Sequence, residues 1–133
     1  MRKAKDVMIK NVKTISPSAT MAEAAKAMKK NRIGSLVIVK GNRPVGIITE
    51  RDLAYKIIAE EQSLDMKVRE VMTKDLKTVQ PEKSIKDAAR LMAAHVIRRL
   101  PVVEGGKLVG IITIEDIMRI EKVGEDTSIY SYT

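Results

Sequence analysis

The feature that most constrains this chain is a duplication: laid over itself at an offset of 64 residues, the sequence matches without a gap. Between residues 7–52 and 71–116, 19 of the 46 aligned pairs are identical, where background composition gives about three. Thr14 pairs with Thr78, Pro17 with Pro81, Ala24 and Ala25 with Ala88 and Ala89, and Met28 with Met92. The densest block is Val45-Gly46-Ile47-Ile48-Thr49 against Val109-Gly110-Ile111-Ile112-Thr113, with Asp52 and Asp116 three residues beyond. One copy alone would bury too little of its surface to be stable. The two are therefore expected to fold around each other about a pseudo-twofold axis and to share one core.

Each copy reads as a βαββα unit. A short extended run at residues 12–15 or 76–79 stops at a proline two residues on. Thr20 with Glu23, and Ser84 with Asp87, carry a helix-start pattern in which a side-chain oxygen caps a free backbone N–H. Met21, Ala24, Ala25 and Met28 then fall at i, i+3, i+4 and i+7, as do Ile85, Ala88, Ala89 and Met92, giving each helix one apolar stripe. These methionines are core residues by that spacing. Two β-rich runs follow, residues 36–39 and 45–48, separated by Gly41-Asn42; residues 100–103 and 109–112 repeat them around Gly105-Gly106. A second helix is predicted to begin near Glu50 and near Ile114. The fold class is α+β (α/β), with motif 1 at residues 7–64, motif 2 at 71–127 and a loose tail at 128–133.

Composition narrows the chemistry. Cysteine is absent, which removes disulfides, thiolate catalysis and cysteine-held metals, and His95 is the sole histidine, with no companion at ligand spacing. No serine, lysine or carboxylate pair stands in a nucleophile-and-base arrangement, so no catalytic residue, metal or catalytic cofactor is expected and the chain reads as a non-enzyme. The basic start lacks the apolar stretch of a secretory signal, which points to the cytoplasm with no membrane association. A net charge of +8 favours anionic partners. Nucleic acid is the second reading, but only 2% of residues are aromatic and none is Phe or Trp, which leaves little for base stacking.

The residues best placed for binding are Thr49 with Asp52 and Thr113 with Asp116, each at a strand end where a helix starts. There a hydroxyl can donate to a phosphate oxygen and a carboxylate can accept from vicinal ribose hydroxyls. The same spacing is also a helix cap that needs no ligand. Capping and binding are compatible, and recurrence at matching places of a duplication favours binding. Arg98 and Arg99, aligned with Gly34 and Ser35, precede the second hairpin and offer guanidinium groups suited to phosphate.

Two tandem copies of Thr-Ile/Val-x-Pro, an apolar hairpin and Gly-Ile-Ile-Thr-x-x-Asp resemble a pair of cystathionine-β-synthase (CBS) domains, a Bateman module, over nearly the whole chain. The resemblance implies two symmetry-related clefts and regulatory binding of adenosine compounds: AMP, ADP, ATP or S-adenosylmethionine. It implies that one cleft joins Thr49 and Asp52 to Thr78, Val79, Arg98 and Arg99, and that the other joins Thr113 and Asp116 to Thr14, Ile15, Gly34 and Ser35. Where the family pattern carries a histidine this chain has Arg98. The resemblance further implies a homodimer that senses an energy or metabolite signal and passes it to a separate effector protein.

Overall fold

The computed structural model describes residues 2–123. The elements run α1 (Ala4–Val7), β1 (Thr14–Ile15), α2 (Met21–Asn31), β2 (Ser35–Lys40), β3 (Arg43–Thr49) and α3 (Glu50–Asp52), which passes into a π-helical segment at Leu53–Ile58. Then come α4 (Val68–Val71), α5 (Ile85–His95), β4 (Arg99–Glu104), β5 (Lys107–Thr113) and α6 (Ile114–Val123). The expected α+β class is observed. The expected tail at 128–133 lies outside the described residues.

The described residues form two compact units, and the boundaries of neither coincide with those of a sequence repeat. Val12–Leu76 makes the first-repeat unit, whereas residues 2–11 join residues 77–123 in the second-repeat unit. Each repeat is thus closed by the short helix that precedes the other repeat. Apolar side chains gather into two clusters, one per unit, where one shared core was expected. Met21, Ala24, Met28, Leu36, Ile38, Ile48 and Ile57 lie in the first cluster with Val68 and Val71 of α4. Ile85, Ala88, Met92, Leu100, Val102, Ile112 and Ile117 lie in the second with Ala4 of α1.

In the first-repeat unit β1 runs parallel to β2, and β2 antiparallel to β3, with a bulge between Ile38 and Val39. Thr73 adds to the far edge of β3 through paired backbone bonds with Ile47 of 3.0 and 3.2 Å. The second-repeat unit repeats this with a bulge between Val102 and Val103. There Val79 alone takes the place of β1, bridging β4 at Val102, and Ile9 takes the place of Thr73 by bridging Ile111. A positive φ at Gly41 (66°), and at both Gly105 (60°) and Gly106 (80°), closes the two-residue hairpin loops.

Helix signals read from the sequence are realised. Thr20 and Ser84 accept from the N–H of Glu23 and Asp87, both at 3.1 Å. Both long helices end the same way: Arg32 and Val96 adopt left-handed backbone (φ 54° and 52°), and the next residue's N–H reaches back to Met28 or Met92 at 3.0 Å. Neither is glycine, and Val96 is β-branched, so this conformation is strained there. The short helices α1 and α4 are capped by an acid three residues on, where Asp6 accepts from the Lys3 N–H at 2.8 Å and Glu70 from that of Lys67 at 3.0 Å. Helix α1 is tied down by Ala4 N–H to Lys83 O (2.7 Å) and by Lys3 and Lys5 on Glu82 (2.8 and 3.0 Å). Those hydrogen bonds, Lys3's first, hold the Glu82 carboxyl below its ordinary range.

Candidate functional site

Thr49 ends β3 and Thr113 ends β5, and both threonines turn the chain from strand into helix. Extended backbone at Thr49 (φ −129°, ψ 165°) directs its hydroxyl at the first helical turn, where it accepts from the Asp52 N–H at 3.3 Å. Asp52 answers with Oδ2, which accepts the Thr49 N–H at 2.8 Å and the Thr49 hydroxyl at 3.2 Å. Asp52 is 8% exposed, the one charged residue among the described residues in the buried class. Lys56, one turn on, balances it at 2.9 Å from Oδ1.

The second copy keeps the plan with a lighter hand. Thr113 donates its hydroxyl to Asp116 Oδ2 at 2.7 Å and accepts the Asp116 N–H at 3.1 Å. Arg119 pairs with the other carboxylate oxygen. Asp116 is half-buried. Both pairs therefore cap their helices, as the spacing allows, and capping fixes each hydroxyl and carboxylate in a defined place.

The pre-hairpin residues lie beside the Thr-x-x-Asp of their own repeat. Ser35 is the register partner of Thr49, and the Gly34 carbonyl accepts the Glu50 N–H at 2.9 Å. Arg99 is the register partner of Thr113, and the Arg98 carbonyl accepts the Ile114 N–H at 2.9 Å. The exposed Arg98 guanidinium is paired with Glu115 at 2.6 Å. Burial alone would raise the Glu115 carboxyl, but the Arg98 hydrogen bond, its own backbone N–H and the charges of Arg98 and Arg99 together hold it below its ordinary range. Thr14 is exposed and Ile15 half-buried on β1; Thr78 is exposed and Val79 buried on the matching edge.

Features of these sites without a sequence expectation include the Lys56 pair, the Arg98–Glu115 pair and the stacking of Arg51 on the exposed Tyr55 ring at 4.8 Å. The i, i+4 spacings of Asp52 with Lys56 and of Arg51 with Tyr55 were legible signals for two of them. His95 closes α5 and is exposed. Among the described residues no group of three or more His, Cys, Asp or Glu is placed to hold a metal ion, and no helix is long and apolar enough to cross a membrane.

Fold and site together define a duplicated α+β module that presents one hydroxyl-and-carboxylate pair per repeat. The chain belongs to the CBS domain family, whose model matches residues 4–59 and 68–122. It is 39% identical over 117 residues to CBS domain-containing protein YhcV of Bacillus subtilis (strain 168), across 88% of this chain and 84% of that protein. It is 38% identical over 118 residues to the inosine-5'-monophosphate dehydrogenase of Korarchaeum cryptofilum, a match to 88% of this chain but 24% of that enzyme. Among solved structures, it is similar to the CBS domain pair of protein MJ0100 in complex with 5'-methylthioadenosine and S-adenosyl-L-methionine. That likeness has a TM-score of 0.84 at 32% identity, over 92% of this chain and 97% of the other. An uncharacterized conserved protein from Pyrococcus horikoshii also gives 0.84, at 29% identity over 96% and 97%.

Proposed function

We propose that this CBS pair is a non-catalytic regulatory module that binds an adenosine-containing ligand: AMP, ADP, ATP or S-adenosylmethionine. The observation that carries the reading is the pair of buried or half-buried carboxylates, each held by a threonine three residues earlier. A carboxylate fixed in advance can accept vicinal ribose hydroxyls without first losing side-chain freedom. The CBS pair of MJ0100, solved in complex with 5'-methylthioadenosine and S-adenosyl-L-methionine, supports a ligand of this class.

Thr49, Asp52, Thr113 and Asp116 read the ribose and the adjoining phosphate or sulfonium. Thr14, Ile15, Gly34, Ser35, Thr78 and Val79 supply backbone groups and small side chains to the same ligands, and Arg98 and Arg99 contribute charge. The module acts in the cytoplasm as a homodimer, and ligand binding biases its contact with an effector protein through differential affinity for two states. Tyr55 (60% exposed) and Ile58 (71%) offer an apolar surface for such a contact.

A thermal-shift screen over the four ligands tests the reading. A ligand at a hundred times its dissociation constant stabilises by about 2.7 kcal/mol. Silence from all four at millimolar concentration would reject it.

A further inference from the structure

Lys56 joins two parts of the first-repeat unit. Its Nζ lies 2.9 Å from Asp52 Oδ1 and donates to the Val71 carbonyl, the last of α4, at 3.0 Å. An ammonium has three donors, so it makes both contacts at once. The Asp52 carboxylate is close to full: two donors from Thr49 occupy Oδ2, and Lys56 takes one of the two lone pairs of Oδ1. Vicinal hydroxyls need two acceptor positions on that carboxylate. They find one while Lys56 and the Thr49 hydroxyl both stay.

The second repeat has no such link at the matching position, because Ile120 aligns with Lys56 and has nothing to donate. Asp116 is paired with Arg119 on its own helix. The bridge from carboxylate to short helix therefore belongs to one repeat.

We infer that Lys56 competes with a nucleoside's hydroxyls for Asp52 and so couples occupation of that carboxylate to helix α4. The inference rests on the reading that Asp52 receives a ribose. When the hydroxyls take Oδ1, the ammonium loses the charge that anchors it beneath Val71. The C-terminal end of α4 then loses its side-chain donor, and with it support for Thr73, which follows α4 and pairs with Ile47 of β3. Binding at Asp52 thus loosens α4, whereas binding at Asp116 has no counterpart.

The test uses the full chain carrying Asp116→Ala, so that one carboxylate is read. Adenosine is the probe, because it has no phosphate to attract Lys56 directly. Calorimetry gives its affinity, and hydrogen exchange over residues 66–76 reports on α4. With Lys56 present, adenosine binds and exchange in this segment quickens. Lys56→Met is expected to bind about two- to five-fold tighter, the range of a partly exposed ion pair, with exchange already fast and unmoved by adenosine. Lys56→Gln, which keeps a donor for Val71 without the charge, is expected to share the tighter binding. Equal or weaker binding by both variants, or exchange that ignores adenosine while Lys56 is present, overturns the role of Lys56 and leaves the ribose reading standing. Failure of adenosine to bind either Lys56 variant, in which no ammonium competes for Asp52 Oδ1, overturns the ribose reading itself.

Discussion

The two units are built from one duplicated pattern, yet they finish differently. In the second-repeat unit the chain leaves Thr113 into an ordinary α-helix whose apolar positions Ile117 and Ile120 are three apart. In the first-repeat unit the corresponding positions are Leu53 and Ile57, four apart, and the backbone widens: the Ala59 N–H reaches Ala54 O and the Gln62 N–H reaches Ile57 O, both at 2.9 Å. A π-turn holds more residues per turn, which brings the later isoleucine round to the core. The position given up by that shift is Lys56, which turns to Asp52 and α4 instead. One displaced apolar residue therefore separates a unit whose carboxylate is tethered to a second helix from a unit whose carboxylate is paired only within its own helix.

The sharpest way to break this comparison is to remove the segment each repeat borrows. Deleting residues 2–11 takes away Ala4, Met8 and the backbone bonds to Lys83, Pro81 and Ile111. The second-repeat unit should lose about 3 kcal/mol or more and its exchange protection, while residues 12–76 keep theirs. Equal loss in both units would show that the boundary between them is not where the contacts place it.

Next come the matched glycines of the Val-Gly-Ile-Ile runs. A Cβ at Gly46 would meet the Met72 side chain and, at 2.9 Å, the Thr73 carbonyl oxygen; at Gly110 the three nearest atoms are all of the Met8 side chain. Gly46→Ala should cost about 2 kcal/mol and Gly110→Ala about 1 kcal/mol in a denaturant titration. The reverse order would contradict the packing described.

Smaller again is the strain at the helix ends. Val96→Gly relieves a β-branched residue of left-handed backbone and should stabilise by about 1 kcal/mol; Arg32→Gly should gain less. The smallest effect is electrostatic. The Glu115 carboxyl is lowered in the folded state, so its contribution is present above the unfolded value and fades as pH falls through the folded one. With Arg98 67% and Glu115 56% exposed, Glu115→Gln should change acid stability by no more than about 0.5 kcal/mol. A larger change would mean that the pair is less exposed to solvent than these figures say.

Much of the unit was legible because local and repeated signals agreed. Thr20 and Ser84 announce their helices, Gly41 and Gly105-Gly106 their hairpins, and the gapless offset makes each reading of one copy a check on the other. Helices α1 and α4 were missed although Lys3 through Asp6 aligns with Lys67 through Glu70, because four residues carry too little periodicity to stand out. Their exchange between repeats rests on Ala4 and Val68 finding buried places far along the chain, which no local pattern encodes. The left-handed caps at Arg32 and Val96 escaped notice because neither residue favours that backbone. At the candidate site, the threonine and carboxylate were legible by spacing. Their cationic neighbours were less legible, since lysine and arginine on a chain of net charge +8 read first as solvated surface.

The most direct measurement is calorimetry of AMP, ADP, ATP and S-adenosylmethionine against the intact chain and a variant carrying both Asp52→Ala and Asp116→Ala. The account predicts binding of at least one ligand to the intact chain and its loss, by a hundred-fold or more in order of magnitude, when both carboxylates are gone. Undiminished affinity in a folded double variant would contradict it.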